Sequence, residues 1–338
     1  MDAVDALGEI AFWLERELAP SFKVQAFRRA AQTIAGLSTE ELAARAADGR
    51  LGRMKGIGGR TGEVIRQAVA GEVPDYLANL RERSAPLAEG GASLLSALRG
   101  DLHSHTERSD GTTPIEAMAA AARTLGREYL AVTDHSPNLT IANGLSAERL
   151  AQEIDDIGRL NEGYGGFRLL TGIETDILED GTLDQAPEML DRLDVVVASV
   201  HSKLRADRGT MTRRMLAGIS APQTNVLGHC TGRLVSGSRG TRPPSEFDAK
   251  RVFTACAENA VAVEINSRPE RQDPPDDLLQ LALDAGCLFS IDTDAHAPGQ
   301  LDFLAYGAER AAKNKVPADR IITTWPVERL LEWTRAKR

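Results

Sequence analysis

Residues 100–111 read GDLHSHTERSDG. A short apolar run ends at Leu102, two histidines follow one residue apart at His103 and His105, and a polar turn carries Asp110. The same grammar returns along the chain. Short apolar runs end near Leu102, Val132, Gly172–Ile173, Val200, Leu227, Ile265 and Ser290–Ile291, seven in all, with helical stretches between them. The spacing, about 30 residues, is the length of a βα unit. Alternation of this kind across residues 99–338 predicts an α/β fold with a mostly parallel sheet, open or closed into a barrel.

All six histidines sit at the ends of these candidate strands. They occur as His103 and His105 in DLHSH, His135 in TDHS, His201 in SVHS, His229 in LGH and His296 in DTDAH. Two acids take equivalent places, Glu174 in GIETD and Asp110 in SDG, and Asp294 lies two residues before His296. In a parallel α/β barrel the C-terminal strand ends converge on one face, and alternate residues of a strand share a side. A single histidine at a strand end is more often a hydrogen-bonded structural residue than a ligand. Packing gives no reason for every histidine in the chain to gather there. Imidazole with carboxylate is the donor set of zinc, manganese or iron.

Outside this region the sequence changes character. Residues 1–84 read as helices: Ile10, Trp13, Leu14 and Leu18 fall at helical spacing, as do Phe22, Ala26, Phe27, Ala30 and Ile34. Ser38 and Thr39 are placed to cap a helix from Glu40 to Ala47, and a glycine turn, Lys55-Gly56-Ile57-Gly58-Gly59-Arg60, feeds another from Thr61 to Ala70. Residues 85–98, rich in Gly, Ser and Pro, are expected to be a linker. The net charge of −9 argues against binding nucleic acid over the whole surface, yet residues 20–66 hold nine basic against four acidic side chains. Three cysteines give no disulfide framework, no run is long enough to span a bilayer, and a cytoplasmic location is expected.

The motifs DLHSHTERSDG, AVTDHS, TGIETDI, VVASVHS, NVLGHCTGR, AVEIN and SIDTDAH, in this order, resemble the signatures of the PHP (polymerase and histidinol phosphatase) superfamily. The resemblance implies a distorted barrel of seven βα units, similar to a TIM barrel, with three divalent ions at its mouth. It implies that His103, His105, Glu174 and Asp294 hold the first ion, and that Glu174 bridges to a second on His201 and His229. The third would take Asp110, His135 and His296. Cys230, beside a ligand, could in principle add a thiolate. Within the superfamily, the region after Ser199 resembles the PHP portion of bacterial family X DNA polymerases. FKVQAFRRAA and KGIG in residues 1–84 are similar to the helix-hairpin-helix domain of those enzymes.

The departures narrow the expectation. No catalytic palm fits between the two regions, so polymerase activity is not expected. The position of a Schiff-base lysine after the hairpin is Val64, which has no amine, so lyase chemistry by that route is not expected either. What remains is a metal-dependent phosphoesterase in which Glu174, His201 and Asp294 carry the chemistry. Arg268 is the expected phosphate clamp, with Asn266 and Arg233 beside it. Asp134, Asp176 and Asp292 are candidates for protonating the leaving group or, the favoured reading, for orienting ligand histidines. The hairpin residues Lys55, Gly56, Gly58, Gly59 and Arg60 are expected to meet DNA phosphates at a helix start. A 3′–5′ exonuclease or 3′-phosphatase acting on DNA ends is the leading expectation. The alternatives are a small-molecule phosphatase of the histidinol phosphatase type and a non-catalytic, metal-stabilised DNA-binding protein.

Overall fold

In a computed structural model, which describes residues 1–237 and 240–337, the chain divides into two compact units, Met1–Pro86 and Leu87–Arg338. The first is all helical: α1 (Ala3–Arg16), α2 (Ser21–Ile34), α3 (Thr39–Ala47), α4 (Gly59–Val69) and α5 (Asp75–Arg83). Ser38 caps α3 by accepting from the Glu41 N–H at 3.2 Å, which supplies one of the partners a helix start lacks. Leu7, Ile10, Leu14, Phe27, Ala30, Ile34, Ile65 and Leu77 form one apolar core. Val64 is buried in that core, so the position is occupied by packing and is not open to solvent.

The second unit begins inside the stretch expected to be a linker. Residues 92–97 form helix α6 (Ala92–Ala97), and Leu94 and Leu98 join the apolar cluster around the barrel. Gly91, at φ 75°, lies so close to Ala308 that a Cβ would sit 2.6 Å from its carbonyl carbon. The small residues that read as a flexible tether are, at Gly91, the condition for close approach of two backbones.

Seven strands follow: β1 (Gly100–Asp101), β2 (Tyr129–Val132), β3 (Arg168–Asp176), β4 (Val195–Ser199), β5 (Val226–Leu227), β6 (Ala262–Asn266) and β7 (Phe289–Asp292). They pair in sequence order and all in parallel. Just beyond β1 and β7, Ser104 bridges Ala295 and the His105 N–H donates to the Ala295 carbonyl at 2.7 Å, so the sheet is nearly closed into a barrel. The intervening helices are α7 (Ile115–Thr124), α8 (Ala147–Asn161), α9 (Pro187–Leu190), α10 (Arg208–Ser220), α11 (Ala249–Glu258), α12 (Asp276–Asp284) and α13 (Leu304–Lys313), with α14 (Val327–Arg335) last. The strands are buried along their whole length apart from Arg168 and Thr171, as a sheet covered on both faces requires. Among the described residues no helix is long and apolar enough to cross a membrane.

Candidate metal centre

The strand ends carry the histidines to one pit, and Glu174 stands at its middle. β3 is the longest strand, and its register puts Glu174 beside Val197 of β4 and next to the bridge from His135. Its Oε1 lies 2.9 Å from His229 Nε2 and 3.2 Å from His201 Nε2. Its Oε2 lies 2.9 Å from His135 Nδ1, 3.3 Å from His103 Nε2 and 3.6 Å from His105 Nε2. One carboxylate thus faces five imidazoles, with different histidines at each oxygen. Asp294 Oδ1 is 3.3 Å from His105 Nε2 and 3.9 Å from His103 Nε2. Asp110 Oδ1 is 3.3 Å from His296 Nε2 and 3.5 Å from His135 Nε2.

Three sets of donor atoms each lie within 4.8 Å of one another: His103, His105 and Asp294; His135, Glu174 and His201; and His105, Asp110, His135 and His296. These sets divide the donors differently from the grouping that the resemblance implied: the first lacks Glu174, the second has His135 in place of His229, and the third adds His105. His135 reaches both Glu174 and Asp110, and His105 stands between the first set and the third. His229 belongs to none of the three sets but touches Glu174 directly. His103 Nε2, His105 Nε2, His229 Nε2 and both carboxylate oxygens of Glu174 are buried and without a hydrogen-bond partner among the described residues. Buried polar atoms are normally satisfied. A cluster of unsatisfied imidazoles and carboxylates facing one another is the chemistry of a site for divalent cations.

The electrostatics agree. Burial opposes ionisation of Glu174, but His201, His103 and His135 outweigh it and hold its carboxyl well below the usual range. Asp294 is likewise buried yet held low, by Arg271 and then His103. Burial disfavours charge on His201, and Glu174 and Asp176 overcome it, taking the pKa up to about 10. His105 goes the other way, down to about 3, through burial and the neighbouring His296 and His135. The pit is acid-rich, so its imidazoles compete for protons where no cation is bound; ligation needs the neutral ring.

Of the three acids proposed to orient histidines, only Asp176 does so: its Oδ1 meets His201 Nδ1 and leaves Nε2 toward Glu174. Asp134 instead accepts from Thr106 and Ser109, bracing the turn that bears Asp110. Asp292 accepts the Leu102 N–H at 2.8 Å across the barrel seam. Sequence reasoning missed Glu264. Its Oε1 lies 2.5 Å from His103 Nδ1, while Oε2 accepts from the His229 N–H and from Asn266 Nδ2. An acid between the apolar Val263 and Ile265 in the strand AVEIN was the available signal: with period two, Glu264 and Asn266 must share a side of β6.

The arginines also differ from expectation. Arg268 Nη1 donates to the Asp294 carbonyl at 2.9 Å and lies 3.0 Å from His296 Nδ1, and Nη2 donates to Glu270 at 3.0 Å. Arg233 is engaged by the carbonyls of Arg271 and Gln272, and Asn266 by Glu264 and Asp294. Arg268 through both terminal nitrogens, Asn266 through Nδ2 and Arg233 through Nε and Nη2 are thus committed to acceptors of the protein itself. Arg271, not singled out from the sequence, lies against Asp294 Oδ2 at 3.0 Å. Cys230 is buried beside Asp273, with Sγ 3.8 Å from its Oδ1; burial followed by that carboxylate pushes its thiol well up, and among the described residues it belongs to none of the three donor sets.

In the helical unit, Gly56 has φ 94° and a Cβ there would lie 3.0 Å from Thr33 Oγ1, so the fold itself demands glycine. Gly58 and Gly59 are exposed, have no positive φ and would meet nothing within 4 Å. Gly58 is the N-cap of α4, with its N–H on Thr61 Oγ1 at 2.9 Å. Lys23, Arg29, Arg53, Lys55 and Arg60 are exposed and make no ion pair among the described residues. Arg60 lies over the Tyr76 ring at 5.3 Å.

Comparison with known proteins agrees with this architecture. Residues 101–268 match the PHP domain, and residues 1–73 match a helix-hairpin-helix domain. The chain is 37% identical to the DNA polymerase/3′-5′ exonuclease PolX of Bacillus subtilis over 65% of its own length, and spans 38% of that protein. It is 26% identical to the probable phosphatase YcdX of Escherichia coli K12 over 70% of its length, covering 94% of that protein. A histidinol phosphate phosphatase from Lactococcus lactis, solved with zinc, L-histidinol and phosphate, aligns at 19% identity and TM-score 0.45 over 64% of this chain and 92% of its own. With its pit of strand-end histidines and carboxylates and a helical unit before the barrel, the chain carries a PHP domain, the domain of a family of metal-dependent phosphoesterases, together with a helix-hairpin-helix domain.

Proposed function

We propose that the chain hydrolyses phosphate esters at DNA ends, as a 3′–5′ exonuclease or a 3′-phosphatase, with three divalent ions of zinc, manganese or iron. The observation that carries the hydrolase reading is Glu174, which has histidines at both carboxylate oxygens and further donor sets on either side. His103, His105, Glu174 and Asp294 would hold one ion, Glu174, His201 and His229 a second, and Asp110, His135 and His296 a third. Ions there would polarise a phosphoryl oxygen and make water nucleophilic at neutral pH. The protein's own part is placement. Asp176 and Glu264 fix the far nitrogens of His201 and His103, which sets ring orientation and raises ligand basicity. Asp134 holds Thr106 and Ser109, so the turn bearing Asp110 stays beside His135.

Support for DNA as the substrate comes from the helical unit. Exposed glycines at the start of α4, where the fold does not require them, leave backbone N–H groups approachable by phosphate. The unpaired bases Lys23, Arg29, Lys55 and Arg60 supply the sequence-independent attraction. A small-molecule phosphatase is the second reading, favoured by the match of the barrel to nearly the whole of the Escherichia coli probable phosphatase.

One assay separates them. Labelled DNA with 3′-hydroxyl or 3′-phosphate ends is compared with histidinol phosphate while manganese and zinc are titrated. Turnover of a DNA end at least tenfold above that of histidinol phosphate, lost when Lys55 and Arg60 are both changed to Glu, supports the first reading. Turnover of histidinol phosphate alone, untouched by those changes, replaces it with the second. Metal-loaded protein that cleaves neither rejects both.

A further inference from the structure

Resting on the hydrolase reading above, we propose that Arg149, at the start of α8, is a positioning residue for the third donor set, the group that keeps Asp110 within reach of His135 and His296. Asp110 differs from the other expected ligands. The rest lie in a strand or a few residues beyond one and are buried or half-buried, whereas Asp110 stands in the turn of residues 106–112 and is exposed. A ladder of hydrogen bonds fixes a strand, but a turn has to be held by something else. Arg149 supplies that hold. Its Nη2 donates to the Arg108 carbonyl, two residues before Asp110. Its Nη1 donates to the Asn143 carbonyl at 2.9 Å and the Gly144 carbonyl at 3.1 Å. One planar fork therefore ties the Asp110 turn to the segment that follows His135.

Both ends of this tie are fixed. Gly144 lies so close to Ser136, the residue after His135, that a Cβ would sit 1.9 Å from the Ser136 carbonyl oxygen. The Leu145 N–H donates to the His135 carbonyl at 2.7 Å, so the loop closes on itself and what holds Gly144 holds His135. On the other side, Asn143, at φ 55°, turns its Nδ2 onto the same Arg108 carbonyl at 3.0 Å, and the Arg108 guanidinium runs to Asp156 of α8. Ser146, the N-cap of α8, accepts from the Arg149 N–H at 3.4 Å, so the fork projects from a capped helix start. Asp134 braces residues 106 and 109 of the turn, and the carbonyl of residue 108, between them, is held by Arg149 and Asn143. A ligand has to stay within about 0.5 Å of its productive position, so slack at residue 108 is expected to reach the Asp110 carboxylate. Lysine would offer a compact ammonium in place of the fork, and could not meet both segments in this way.

The test uses the full chain loaded with manganese. Bound ions are counted by mass spectrometry, their affinities are read by calorimetry, and hydrolysis is followed with p-nitrophenyl phosphate. Asp110→Ala marks the third site by the ion it loses. Arg149→Ala is expected to bind that same ion about 10- to 100-fold more weakly and to keep the others, with the manganese requirement for hydrolysis raised in step. Excess manganese restores its kcat, which the loss of a reacting group would not allow. Arg149→Lys falls between the two, and is the variant read should Arg149→Ala unfold. Gln152→Ala, exposed on the same helix, keeps every ion. Unchanged ion affinity in a folded Arg149 variant overturns the proposal. So does loss of all the ions together, or unfolding of both Arg149 variants, since either makes Arg149 a support for the barrel as a whole. An Asp110→Ala variant that loses no ion overturns it too, because no third site is then there to position. Wild-type protein that binds its ions but hydrolyses no ester breaks the hydrolase reading alone, and the ion counts still decide the role of Arg149.

Discussion

In the helical unit, Leu7, Ile10, Phe27 and Ile65 fill the interior while the charges lie outside, and the buried Glu15 is met by Arg28 at 2.9 Å from each carboxylate oxygen. In the barrel unit the arrangement is inverted at one place. Apolar clusters surround the strands, but the C-terminal mouth buries His103, His105, His229, Glu174 and Asp294 together, several of their atoms unpartnered. The helical unit is built for packing, with most of its charged side chains on the outside. The barrel sets aside part of its interior for groups that packing alone would not retain, because unmet polar atoms in a core reduce stability. The candidate metal centre sits where the folding rules are broken in the barrel unit, and no such break occurs in the core of the helical unit among the described residues.

This contrast can be broken in order of expected effect. Glu174→Gln keeps the size of the side chain and removes the charge shared by five imidazoles. Ion content should fall and hydrolysis of p-nitrophenyl phosphate should drop about a thousandfold or more, since Lewis-acid stabilisation is worth several kcal/mol. Activity within tenfold of wild type with an emptied pit would show that the polar interior is not the site of chemistry. Ile10→Ala makes the opposite cut, in the apolar core of the helical unit. It should lower that unit's unfolding free energy by about 2–5 kcal/mol in urea titration, while metal content and small-ester hydrolysis hold. A matching loss in the barrel would erase the distinction between the two interiors.

Asp176→Asn and Glu264→Gln ask how far the polar interior extends beyond the ligands. Each should weaken metal affinity by roughly 10- to 100-fold, read by chelator competition. An effect as large as that of Glu174→Gln would make the residue a ligand in its own right. The smallest effect is expected at Glu153, on α8, which is almost fully buried. Burial, and then the charge of Asp134, raise its pKa well above the carboxylate value of 4.5. The folded protein therefore keeps a proton that the unfolded chain releases, so this group lowers stability as pH rises from about 4.5 toward the folded pKa. Glu153→Gln should match wild type near pH 4 and melt a few degrees higher by pH 8. A gap that is constant with pH would show that Glu153 is held ionised.

The seven strands were readable because each is a short apolar run at βα spacing, and the site was readable because every histidine ends one of them. Val64 illustrates the same legibility in the helical unit: a missing amine is visible in one letter, and the core explains what stands there instead. Glu264 was harder, since it ends no strand and its neighbours are apolar; only its partner across the barrel, His103, 161 residues away in sequence, reveals its use. Gly91 failed for a related reason. Glycine signals freedom in a sequence, and its use here to let two backbones touch depends on Ala308, which the local pattern cannot supply.

What the sequence determined by itself is the order of elements, the parallel α/β class and the identity of its clustered histidines and carboxylates, because strand period and residue type are local properties, while near-closure of the sheet into a barrel rests on contacts between its first and last strands. The tertiary structure decided how those groups divide their atoms: that Glu174 faces histidines at both oxygens, that Asp176 rather than Asp134 or Asp292 orients one, and that Arg268 takes the Asp294 carbonyl while Arg271 takes its carboxylate. Hydrogen-bond partnership is a matter of direction across the barrel, and residues three apart in one turn can face different neighbours. Spacing along the chain carries no information about that choice, so only the closed sheet could make it.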